Sequence, residues 1–111
     1  SYALPRKALR AATRMVLRLK AEAGELSVVD SLSLPEPRTK HVAAALKSGG
    51  LTGQSCLFVT EGVDADLVRA ARNIPKVSVL PRTDLNADVL MRHRNVLVLS
   101  DAMALLAGTD S

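Results

Sequence analysis

Four short runs rich in Val and Leu, with helix-patterned stretches between them, predict an α/β domain built on a four-stranded parallel sheet. The runs are Leu26–Asp30, Ser55–Thr60, Val77–Pro81 and Val96–Ser100. Each is too short for a helix and is bounded by turn residues, as strands buried on both faces are. Between them, Thr39–Lys47, Asp64–Ala71 and Leu85–Met91 read as helices, with Thr39 and Asp64 as N-caps whose side chains satisfy the first backbone N–H groups. Asp101–Ala107, headed by Ser100 or Asp101, is a short Ala-rich final helix. Strand alternating with helix at this pace is the pattern of an open sheet with right-handed crossovers.

The chain has 111 residues, the size of a single domain, and residues 1–111 contain no internal repeat or low-complexity linker that would divide it. Tyr2 and Phe58 are its aromatics, so the core must come from aliphatic side chains, and a base-stacking platform for single strands is disfavoured. Cys56 stands alone, which excludes an internal disulfide and, with two scattered histidines, a His/Cys zinc cluster. The sequence has no apolar run approaching 18 residues and no signal-peptide pattern, so the expectation is a soluble protein of a reducing compartment, without a membrane partner.

Charge becomes informative once it is located. The net charge is +4, but the first twenty residues carry Arg6, Lys7, Arg10, Arg14, Arg18 and Lys20 and no acid. The other ninety-one hold nine bases against eleven acids. The basic residues lie on a predicted helix over Leu4–Ala23, opened by Pro5 and stopped by Gly24. At helical spacing Arg6, Lys7, Arg10, Arg14 and Arg18 share one arc, while Ala8, Leu9, Ala12, Met15, Val16 and Leu19 form the opposite arc, expected to pack on the sheet. Leu17 falls inside the basic arc. A solvated helix usually interleaves acids at four-residue spacing, and here Arg6, Arg10, Arg14 and Arg18 repel one another along one face. A phosphate backbone relieves that repulsion, so the implied partner is a polyanion, nucleic acid before membrane.

Other chemistries find less support. Gly49-Gly50-Leu51-Thr52-Gly53 follows a predicted helix and precedes a strand, the reverse of a phosphate loop, and reads as a helix stop. Strand-end acids Asp30, Glu61, Asp64 and Asp101 are where an open α/β enzyme keeps its site. Val59-Thr60-Glu61-Gly62 faintly resembles a Toprim-type Mg²⁺ site, but Asp101 is followed by Ala102 and Met103, which lack the further carboxylate such a site needs. Cys56, inside an apolar run, reads as a buried inert thiol. His41 opens a helix, His93 reads as an exposed loop residue near phosphate, and Met15, Met91 and Met103 read as core filler. No catalytic residue, metal, cofactor or small-molecule substrate is expected.

Four further segments carry a resemblance. They are Ser1-Tyr2-Ala3-Leu4-Pro5-Arg6-Lys7, Glu36-Pro37-Arg38-Thr39-Lys40, Ala71-Arg72-Asn73-Ile74-Pro75 with the strand after it, and Asp84-Leu85-Asn86. In this order and spacing the chain resembles, over essentially its whole length, the bacterial large-subunit ribosomal proteins of the L-four family. It departs from the family after Asn86, where Ala87-Asp88-Val89 replaces a branched apolar residue, a Tyr and an Asp. The chain also begins where the family's second half begins, so it is expected to be a fragment lacking the family's glycine- and arginine-rich tunnel loop. The resemblance implies a three-layer α/β/α fold with strand order 1-4-2-3. It implies a non-enzymatic structural constituent of the large subunit, in the cytoplasm or an organelle, that binds rRNA early in assembly. The implied partners are large-subunit rRNA, neighbouring ribosomal proteins and, for some members, their own messenger leader.

Guanidinium groups present planar forks to phosphate oxygens and keep their charge. Arg6, Lys7, Arg10, Arg14 and Arg18 are therefore the expected RNA contacts on the front helix. Arg38, Thr39 and Lys40 form a second expected anchor at a helix start. Arg72 stands open between RNA contact and a turn role. Asn73 is expected in the left-handed region, Ile74 in the core, Pro75 as a helix stop and Asn86 as a helix cap.

Overall fold

The computed structural model describes residues 6–30 and 38–103, with side chains described over 11–30 and 40–103. The elements run α1 (Arg6–Glu22), β1 (Leu26–Val29), α2 (Arg38–Ser48), β2 (Cys56–Thr60), α3 (Ala65–Arg72), β3 (Val77–Pro81), α4 (Ala87–Arg92) and β4 (Asn95–Leu99). A helical turn follows β4 over residues 100–103; the rest of the expected final helix, like the expected start at Leu4 and Pro5, lies outside the described residues.

All strand pairs are parallel and the order is β1-β4-β2-β3, as the resemblance implies. The two central strands are buried along their whole length. Side chains alternate between faces at a period of two, so each central strand feeds two cores. Cys56, Phe58, Leu97 and Leu99 meet Val42 and Leu46 of α2 and Leu67 of α3. Leu57, Val59, Val96 and Val98 meet Leu90 of α4, with Val16 and Leu17 of α1 against them. The result is the three-layer arrangement, with α2 and α3 on one face and α1 and α4 on the other.

Local chemistry sets the element ends. Asp64 Oδ1 accepts from Leu67 N at 3.0 Å and Asn86 Oδ1 from Val89 N at 2.9 Å, which caps α3 and α4 as expected. Helix α2, ending at Ser48, is stopped by Gly50, whose φ of 71° permits the bonds Gly50 N to Lys47 O and Leu51 N to Leu46 O. Ile74 packs on the first core.

Several expectations shift. Helix α2 starts at Arg38, so Thr39 sits inside its first turn rather than at the cap. Asn73 closes α3 in the right-handed region, at φ −86°, and the left-handed residue is Lys76, at φ 64°. Val77 N donates to Ile74 O across this turn, with Pro75 second and Lys76 third, the dihedral pattern of a type II turn. Helix α1 is also rotated from its expected seat. Val16 and Leu17 face the core, while Met15 and Leu19 are 64% and 57% exposed. Met91 is exposed too, and of the three methionines Met103 alone packs on a core. Lys20 lies on the inward side of the helix as seated.

Candidate nucleic-acid interface

Lys20 is half-buried, one turn beyond Val16 and Leu17. Its Nζ donates to the carbonyls of His93 at 2.6 Å and Arg94 at 3.0 Å and meets Glu25 Oε1 at 3.5 Å. An ammonium whose hydrogen bonds are met this way is stable at the helix–sheet seam, and its stem covers apolar surface. The inward stripe is thus Thr13, Val16, Leu17 and Lys20, and Leu17 leaves the basic arc. One of the six front-helix bases is a structural tie.

The rotation leaves Arg14 and Arg18 exposed, one turn apart on the outer side of α1. No carboxylate among the described residues forms an ion pair with Arg18. Arg6, Lys7 and Arg10 belong to the same helix, with side chains outside the described residues. Helix α1, at 17 residues, is about 25 Å long against about 13 Å for the four residues of β1. Because α1 turns back into β1 at Gly24, its N-terminal part lies toward the end of the sheet where the strands finish.

Arg38, Thr39 and Lys40 fall in the first turn of α2, on the other face of the sheet. Lys40 is exposed, and the side chains of Arg38 and Thr39 lie outside the described residues. Both helix starts sit at the strand C-terminal end. Arg72 is exposed as the last residue of α3 and therefore sits at the opposite end. The nine expected contacts thus divide between two ends and two faces.

His93 is not the exposed loop residue expected. It caps the end of α4, with Nδ1 3.0 Å from Val89 O and Nε2 3.2 Å from Ser78 Oγ, so both ring nitrogens are engaged in holding the fold. The strand-end acids do not assemble: among the described residues no three His, Cys, Asp or Glu side chains stand where they would hold a metal. Asp64 spends Oδ1 on the α3 cap and Glu61 is exposed. Cys56 is fully buried, and burial pushes its thiol above the usual value of 9.0, partly offset by a hydrogen bond with Asn95. No helix of the described residues is long and apolar enough to cross a membrane.

Sequence reasoning missed the bases that gather with Arg72: Lys47 at the end of α2, Lys76 before β3 and Arg94 before β4, all exposed. The available signal was positional. In a parallel α/β fold every residue just before a strand, and every helix end, comes to one edge.

The sequence matches the ribosomal protein L4/L1 family over residues 1–109. It is 39% identical over 103 residues to the large ribosomal subunit protein uL4 of Rhodopirellula baltica, covering 93% of this chain and 46% of that protein. The uL4 proteins of Carboxydothermus hydrogenoformans and Symbiobacterium thermophilum are each 39% identical over 103 residues, again 93% of this chain and 50% and 49% of theirs. The chain spans about half the length of the curated relatives it matches. With its parallel sheet in the order β1-β4-β2-β3 and this match along nearly all of its length, the chain belongs to the ribosomal protein L4/L1 family.

Proposed function

We propose that this chain is the globular, rRNA-binding part of a structural constituent of the large ribosomal subunit, acting early in assembly and without catalysis. The observation that carries the reading is the outer side of α1, where Arg14 and Arg18 stand exposed at four-residue spacing. Arg6, Lys7 and Arg10 continue the basic sequence on the same helix. Double-stranded RNA presents phosphates and 2′-hydroxyls while its major groove is closed to side chains, so such a helix follows the backbone without reading bases. Arg38, Thr39 and Lys40, at the N-terminal turn of α2, add a second anchor where the helix dipole favours an anion. Neighbouring ribosomal proteins, and the chain's own messenger leader, are further partners in this reading, and its place is the ribosome of the cytoplasm.

The test is sedimentation of the full-length protein and the salt dependence of binding to large-subunit rRNA. The protein is expected to co-sediment with the large subunit. Four neutralised phosphates give log K against log salt a slope of about −3. Replacing Arg10 and Arg14 by Ala flattens it by about 1.5 units with folding intact. An unchanged slope removes the front helix from the interface. Sedimentation away from the subunit overturns the reading.

A further inference from the structure

Outside the front helix the chain carries slightly more acid than base, yet the fold gathers six of those nine bases toward one edge, with Arg38, Lys40 and Arg82 at the other. Each helix crosses back antiparallel to the strands, so all four helix C-termini reach the edge where the strands begin. All four carry bases in their last turns: Lys20, Lys47, Arg69 with Arg72, and Arg92. Lys76 and Arg94 stand at the same edge, immediately before β3 and β4. Among the described residues Glu22 and Glu25 are the acids there, whereas Asp30, Glu61, Asp64, Asp66, Asp84, Asp88 and Asp101 lie at or near the opposite edge, together with Arg38, Lys40 and Arg82.

Bases at helix ends complement the helix dipole, which by itself accounts for Lys47 and Arg72. It does not account for Lys76 or Arg94, which lie outside helices. Lys76 holds φ 64° at the turn position that glycine or asparagine fills without strain, and its side chain is exposed with no ion pair among the described residues. Beneath Arg94 the backbone is locked. Its N–H donates to Ser55 Oγ at 2.8 Å, its carbonyl and that of His93 accept from Lys20, and Asn95 Nδ2 donates to Gln54 Oε1 at 2.8 Å. The Arg94 side chain is still 68% exposed, its nearest carboxylate being Glu25 at 3.7 Å.

Register fixes the spacing. Cys56 pairs with Val77 on one side and Asn95 on the other, so the preceding residues Lys76, Ser55 and Arg94 lie side by side. Lys76 and Arg94 are two strand spacings apart, about 10 Å. Arg72 joins them from the end of α3, four residues before Lys76. We propose that Arg72, Lys76 and Arg94 form a second RNA-binding surface, a preorganised row of cations along the strand-start edge that takes phosphates of an RNA backbone separate from the one on α1. Lys47 flanks it. The proposal rests on the rRNA-binding reading above.

The experiment measures binding of the full-length protein to large-subunit rRNA transcribed in vitro, across a salt series. The variants are the triple R72Q/K76Q/R94Q, the single K76G and, as a front-helix control, R14Q/R18Q. The triple variant is expected to lose about 2 units of salt slope, at roughly 0.7–0.9 per contact, with unfolding temperature held. K76G separates binding from folding. Glycine relieves the left-handed turn, so the variant unfolds at higher temperature while binding several-fold more weakly at low salt. A triple variant with the wild-type slope, beside a front-helix variant that loses slope, overturns the edge and leaves the rRNA reading standing. K76G binding as tightly as wild type also overturns the edge. Wild-type protein without salt-dependent binding overturns both.

Discussion

The two ends of the sheet are held by different kinds of bond. Where the strands finish, several side-chain bonds are local. Asp64 reaches Leu67, Asn86 reaches Val89 and Thr60 Oγ1 donates to Gly62 O at 2.6 Å, all within three residues. Where the strands begin, the bonds join distant segments. Lys20 holds His93 and Arg94, Ser55 holds Arg94, Gln54 holds Asn95 and Ser78 meets His93, across separations of 15 to 74 residues. One end carries short-range caps, with Thr60 Oγ1 also 3.4 Å from Leu80 O, while the other is a network that positions a row of cations. A network fails together when one member is removed; caps fail one at a time.

The largest effect expected from this contrast is at Lys20. Lys20→Met keeps the stem but leaves two carbonyls without their donor and Glu25 with Arg94 alone, and is expected to lose about 2–3 kcal/mol in urea unfolding. It should also loosen amide exchange across the starts of both β1 and β4. A loss below about 1 kcal/mol would mean that water replaces the ammonium and that the network is no network.

The seat of α1 gives the next effect. Leu17→Ala removes a side chain packed against the second core and is expected to cost about 1–2 kcal/mol, while Leu19→Ala, largely exposed, costs less than about 0.5. The opposite ranking would restore the seat expected from the helical arc alone. At the cap end, Asp64→Ala is expected to cost about 1 kcal/mol, with amide exchange raised only at the start of α3. If that damage spreads to β4, the ends are coupled and the comparison breaks.

The smallest effect belongs to Cys56. Its folded thiol titrates above the unfolded one, so its contribution to stability is whole below the unfolded value and declines as pH rises through the folded one. A Cys56→Ala variant, though weakened by its cavity, is expected to lose less stability than wild type between pH 8 and pH 10. Equal alkaline losses would show that the thiol ionises alike in both states.

What was legible in the residues follows the same division. The strands were found to within a residue because two-faced burial demands runs of Val and Leu, and the caps at Asp64 and Asn86 because their bonds are short-range. The seat of α1 was not legible. Hydrophobicity assigns Lys20 to water and Met15 and Leu19 to the core, and only carbonyls contributed by residues 93 and 94 reverse that assignment. His93 was misplaced for the same reason, since its partner Ser78 comes from the far edge strand. Arg14, Arg18 and Lys40 are exposed as an interface requires. The division of the nine candidates between two ends could not be seen without the strand order.

By itself the sequence determined the alternation of strand and helix, the local stops and caps, the concentration of positive charge in α1 and the family. These are properties of neighbouring residues, or of patterns whose period the backbone sets. Tertiary structure decided which side of α1 faces the core, which lysine becomes a tie, and that bases scattered through the chain come to one edge. Those outcomes depend on parallel pairing that brings the starts of distant strands side by side, and no local preference encodes which carbonyl will wait at the end of a lysine.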